Sequence, residues 1–175
     1  TIAFMPMIGF GIAVSVLVGQ YLGRGRPEIA QRSVYSGFLM TFSYMSTIAL
    51  LYVFVPEIFI APFAVRSDPD YFAQIREITV VLLKFVAVYS IFDTLNIIFA
   101  SAVKGAGDTR FVMYMIVVIS VLVLVVPSYV AIVILDFGIM AGWTAASLYV
   151  IVLGLVFLHR FMGGKWKTMR VIEEQ

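Results

Sequence analysis

The chain has 175 residues, of which 62% are hydrophobic and 13% charged, against about 45–50% apolar and about 25% charged in ordinary soluble domains. Such a chain takes lipid rather than water as its main solvent, which excludes a soluble globular domain. It has no cysteine and only one histidine, His159, so disulfides and thiolate metal sites are excluded, and its net charge of +2 sits at membrane edges without the aromatic-interleaved basic patch that would suggest nucleic acid.

The charges lie in short stretches between apolar runs, each near the roughly 20 residues that cross a bilayer. This pattern predicts an all-α integral membrane protein with five transmembrane helices in residues 1–161 and a polar tail over 162–175. The first span covers about residues 2–22 and carries Gly11, Ser15, Gly19 and Gly23 at four-residue steps, a small-residue stripe on one face. Such stripes let helices approach closely within a membrane, so packing rather than substrate contact is its expected role. The run is read as a genuine helix and not a removable signal peptide. No basic segment precedes it, and Gly23-Arg24-Gly25-Arg26-Pro27 stands in place of a cleavage site.

That turn ends the first helix, and Pro27 suits the first turn of the next. The second span is about 32–55, closed by Pro56, with Ser43, Ser46 and Thr47 as candidates for hydrogen bonds between helices. Phe59, Ile60, Pro62 and Phe63 are expected in a partly apolar loop at the membrane interface. Ser67 or Asp68 would cap a long helix, with Pro69 in its first turn, running from Asp70 to about Lys104. Gln74, Arg76 and Glu77 are expected outside the bilayer, and the third span is about 78–103.

The turn from Lys104 to Arg110 contains Gly105 and Gly107 but lacks both the Gly-Lys-Ser/Thr ending and the strand-to-helix setting of a phosphate loop. Asp108 is the expected N-cap of the fourth span, about 111–135. Pro127 lies inside that span, where it removes a backbone hydrogen bond and is expected to kink the helix. The fifth span is about 139–159, and Trp166 in the tail beyond it is expected to anchor the interface.

Nine basic residues then fall on one side of the membrane: Arg24, Arg26, Arg32, Lys104, Arg110, Arg160, Lys165, Lys167 and Arg170. Arg66 and Arg76 fall on the other. By the excess of Lys and Arg in cytoplasmic loops, the nine-charge side and the C-terminus are expected in the cytoplasm. Residue 1 is then outside, at a helix start, and further helices upstream are expected.

Two ionisable residues lie at membrane depth, Lys84 and Asp93, both on the third span. Lys84 has a stem long enough to carry its ammonium to the headgroups. At roughly 100° per residue, their nine-residue separation sets the two on opposite faces. Asp93 lies about 20 Å along the helix from Ile78 and about 15 Å from Lys104, and its short side chain cannot reach an interface. Tyr89, Asp93 and Asn96 share a narrow stripe. A carboxylate at this depth is a functional candidate. It needs neutralising by a proton, a sodium ion or a cationic substrate, which is the competition an antiporter uses. Tyr89 offers a ring face for cation–π attraction, and Asn96 a carbonyl ligand or a hydrogen bond. The structural alternative has Asp93 protonated, or bonded to a Ser or Thr of a neighbouring helix, binding the bundle together. The many Met and Phe residues suit an adaptable cavity, ordinary packing or lipid contact equally.

The segment from Pro6 to Gly23, PMIGFGIAVSVLVGQYLG, with its basic Gly-rich turn, resembles the multidrug and toxic compound extrusion family, as does Ala102-Val103-Lys104-Gly105-Ala106-Gly107-Asp108-Thr109-Arg110 between two spans. The resemblance covers nearly the whole chain. It implies the second half of a twelve-helix, two-half transporter of the bacterial inner membrane, lacking that half's first helix. It also implies a cation-binding role for Asp93, with Tyr89 in substrate or cation contact. An acidic residue on the missing helix would cooperate with Asp93 in sodium-coupled members. The implied coupling ion is sodium, bound at Asp93, or a proton, with no other cofactor. The implied partners are organic, often cationic small molecules, the lipid bilayer and the missing N-terminal helices of the same parent chain.

Two other readings remain. A lipid-linked saccharide flippase of the same superfamily would favour a wide basic cavity, whereas Lys84 is the only basic residue in the spans. A non-transporting structural membrane subunit would tolerate Asn at position 93. An intramembrane enzyme is disfavoured, because Asp93 has no second carboxylate at depth and His159 lies at a span end.

Overall fold

The computed structural model describes residues 4–64 and 69–169. Among these, every regular element is helical: α1 (Met5–Gly23), α2 (Pro27–Phe54), α3 (Glu57–Ala64), α4 (Pro69–Gly105), α5 (Thr109–Ile119), α6 (Val126–Tyr129) and α7 (Ile139–Met162). π-helical stretches at Ser120–Val125 and Val130–Ile134 flank α6 and continue α5 as one rod, and a 3₁₀ turn at Lys165–Thr168 lies beyond α7. Five stretches are long and apolar enough to cross a membrane: Met5–Gly23, Pro27–Phe54, Arg76–Gly105, Thr109–Ile134 and Ile139–Met162. Helices suit that solvent because each satisfies its backbone polar groups internally.

The long helix α4 is the hub, packing against α7, α2 and α1, while α5 lies outermost against α7. Ile98, Phe99, Ala102 and Val103 of α4 are buried among Val14 and Val18 of α1, Val34 of α2, and Leu153 and Phe157 of α7. An aromatic chain ties the same end together. Phe99 meets Phe38 at 5.4 Å and Phe161 at 5.1 Å between ring centroids, and Phe161 stacks on Trp166 at 4.8 Å.

Close approach of α1 to α4 depends on glycine. A Cβ on Gly11 would lie 2.9 Å from Ile97 Cγ2 and 3.0 Å from Ser101 Oγ, and one on Gly105 would fall on the Ser15 backbone. A Cβ on Gly19 would meet the Gly105 carbonyl at 3.2 Å. Gly23 is different. Nothing lies within 4 Å of a Cβ built there, so the contact of the small-residue stripe ends one turn earlier, where α1 has passed the end of α4.

Several local expectations need correcting. The segment expected as an interfacial loop is the helix α3, with Phe59 edge-on to Tyr52 at 4.5 Å and Ile60 buried. An ion pair between the exposed side chains of Glu57 and Arg76 ties α3 to α4. The second helix begins at Pro27 as expected, five residues before its apolar run, because proline suits a first helical turn whatever the solvent. Thr47 bonds back to the Ser43 carbonyl of its own helix at 2.9 Å instead of bridging helices. Asp108 holds the N-cap position of α5 but makes no side-chain cap bond. It accepts from Arg160 instead. Trp166 is buried, its indole N–H donating to the Phe161 carbonyl at 2.8 Å, so it caps the bundle rather than anchoring an interface.

Pro127 sits between the two π-helical stretches. Its missing N–H and its ring both disturb the α-helical ladder, and widening on either side is one way a helix absorbs that disturbance. The expected capping residues Ser67 and Asp68 lie outside the described residues, as does Arg170 in the tail; Pro69 opens α4.

Candidate functional site

Asp93 sits in the middle of the hub helix, half-buried, on the part of α4 that packs against α7. The Asn96 side-chain amide, three residues on and therefore on the same face, donates to Asp93 Oδ1 at 2.9 Å. Asp93 thus takes its hydrogen bond from its own helix and not from a Ser or Thr of a neighbour. That single bond leaves Asp93 Oδ2 and the Asn96 carbonyl oxygen without a hydrogen-bond partner among the described residues. No buried side-chain oxygen or nitrogen among them lacks a partner, so these two oxygens stay open. Two oxygens of this kind, one of them on a carboxyl group, suit a proton, a hard monovalent cation or an organic ammonium group.

Tyr89 stands one turn away. Its ring lies near-parallel to Phe4 of the N-terminal segment at 6.4 Å and 19°, and to Trp143 of α7 at 6.5 Å and 26°. The three rings make an aromatic wall centred on Tyr89, one helical turn from Asp93, and are contributed by three separate parts of the chain. Trp143 was not singled out by the sequence, because only the α4–α7 packing brings it to Tyr89.

The packing in turn depends on Gly154. A Cβ there would lie 2.9 Å from the Phe92 carbonyl oxygen, 3.1 Å from Leu95 Cβ and 3.3 Å from the Asn96 backbone nitrogen. The lack of a side chain at Gly154 therefore sets how near α7 comes to the Asp93 turn. A glycine within the fifth span was the one legible signal of this. Lys84 is exposed and on the other face of α4, so the structure does not bring it to the site.

At the end of the bundle that carries the α4–α5 turn, Arg160 of α7 reaches Asp108. Its Nε and Nη2 donate to Asp108 Oδ2 at 2.9 and 2.6 Å, and its guanidinium lies 4.4 Å from the centre of the Phe111 ring. With side-chain exposures of 24% and 13%, this pair is shielded enough to fasten the two elements.

A family model described as MatE matches residues 1–130. The chain is 26% identical over its whole length to the probable multidrug resistance protein NorM of Thermotoga maritima, covering 36% of that protein. It is 30% identical over 63% of its length to the protein of the same name from Brucella suis, and 32% identical over 62% of its length to that from Pseudomonas putida, covering 23% of each. The chain thus spans about a third or less of the length of these relatives. Its five apolar helices and a family match over most of their length place the chain in the MatE family, the multidrug and toxic compound extrusion proteins.

Proposed function

We propose that this chain is part of a cation-coupled antiporter that exports organic, often cationic compounds by alternating access, with Asp93 as the exchange site. The observation that carries the proposal is the arrangement at mid-helix: a carboxylate with one oxygen open, held by Asn96 and flanked by the ring of Tyr89. The relatives named as multidrug resistance proteins support the substrate class. An unneutralised carboxylate is costly at membrane depth. Asp93 would therefore hold either a coupling cation, sodium or proton, or the substrate. Loading one displaces the other, and their opposing movements are linked. Asn96 orients the carboxylate, and the aromatic wall receives the apolar part of an amphipathic substrate. The nine-charge end would face the cytoplasm of a bacterial inner membrane.

The test is transport by the complete open reading frame in proteoliposomes. An imposed sodium or proton gradient should drive uphill movement of a fluorescent organic cation. If neither gradient moves any of a panel of such cations, the antiport reading fails. Translocation of a lipid-linked saccharide instead would put the flippase reading in its place.

A further inference from the structure

We propose that a groove between α2 and α4, on the face of α4 away from Asp93, binds an anionic phospholipid, with an acyl chain in the groove and the phosphate held by Lys84. The groove has a volume of about 240 Å³ and is lined by Ala49, Leu50 and Val53 of α2 and by Ala87, Val88 and Ile91 of α4. Leu50 and Val88 are 57% and 54% exposed, so an apolar chain laid there covers surface that these helices leave open among themselves. Lys84 precedes Ala87 by three residues and Val88 by four, which puts it on the same face one turn nearer the Arg76 end. It is exposed, and among the described residues the ion pairs are Arg76 with Glu57 and Arg160 with Asp108, neither involving Lys84.

The depth suits a phospholipid. The third candidate span, Arg76–Gly105, has 30 residues, about 45 Å of helix against roughly 30 Å of hydrocarbon, so its ends project into the headgroup region. Lys84 lies about 12 Å along the helix from Arg76, a depth from which a lysine stem reaches the phosphate layer. The groove then runs from Lys84 towards mid-bilayer, the direction an acyl chain takes from its phosphate. The cation selects the headgroup, and the apolar groove accepts any chain.

Native mass spectrometry of the complete protein, delipidated and titrated with phosphatidylglycerol or phosphatidylcholine, tests the proposal. Phosphatidylglycerol should bind more tightly. Lys84→Met should weaken its binding about fivefold, as expected for one basic residue at an anionic lipid surface, and weaken phosphatidylcholine, whose choline offsets its phosphate, by less. Lys84→Arg should retain the preference, and Val88→Trp should weaken both lipids by filling the groove. Wild-type phosphatidylglycerol binding by Lys84→Met would overturn the proposal. A photoreactive residue at position 88 gives a second, independent reading. Crosslinking to lipid supports the site, whereas crosslinking to another helix of the protein shows that protein covers the groove and refutes it.

Discussion

Gly105→Ala tests whether the α1–α4 contact holds the bundle at its basic end. The added Cβ would overlap the Ser15 carbonyl oxygen, carbonyl carbon and Cα, all backbone atoms that no rotamer change can move. Overpacking of this kind costs about 1–3 kcal/mol, and a clash with backbone belongs at the upper end of that range. Replacing a helical glycine with alanine returns roughly 1 kcal/mol, leaving a net loss of about 2 kcal/mol. For a chain of this size the loss lowers the unfolding midpoint by roughly 4–8 °C. Gly23→Ala is the matched control, because open space surrounds its Cβ and the change should be neutral or stabilising. Thermal unfolding in detergent, followed by size-exclusion chromatography, separates the two. A Gly105→Ala variant as stable as Gly23→Ala would refute the packing argument.

A double-mutant cycle on Arg160→Ala and Asp108→Ala should give a coupling of about 1–3 kcal/mol in the same unfolding assay, since the pair is shielded and charge-assisted. Additive losses would show the pair to be idle. Asn96→Ala removes the donor to Asp93; a hydrogen bond to a charged group is worth about 1.5–3 kcal/mol, so the apparent affinity for an organic cation in transport should fall about tenfold or more, with membrane abundance unchanged. The Arg76 hydrogen bond holds the Glu57 carboxyl below its ordinary value. Its contribution is therefore present above the ordinary carboxylate range and lost as pH falls through the lowered value. Glu57→Gln should flatten that acid limb of stability, and high salt should shrink the difference because both side chains are exposed.

The five membrane-crossing helices were legible because bilayer thickness fixes the length of an apolar run, and neither partners nor packing enter that argument. Helix ends were less so. Pro27 marks the start of α2, but α3 lies outside the spans, where hydropathy does not distinguish helix from loop. The stripe of Tyr89, Asp93 and Asn96 could be drawn from spacing on one helix, and the Asn96–Asp93 bond is a consequence of that spacing. Trp143 and Gly154 could not be assigned to the site, because their positions depend on how α7 rotates against α4. The Arg160–Asp108 pair escaped for the same reason: 52 residues separate its members, and Asp108 looked like an ordinary N-cap.

The most direct test of the exchange role of Asp93 is efflux of a fluorescent organic cation from cells making the complete protein, compared with Asp93→Asn at matched membrane abundance. Asparagine keeps an oxygen for the Asn96 amide and replaces the other carboxyl oxygen with a neutral NH2 of similar size, so the fold should survive. The account predicts that efflux collapses to the level of cells without the transporter. Undiminished efflux by a folded Asp93→Asn protein would contradict it and make Asp93 a structural residue.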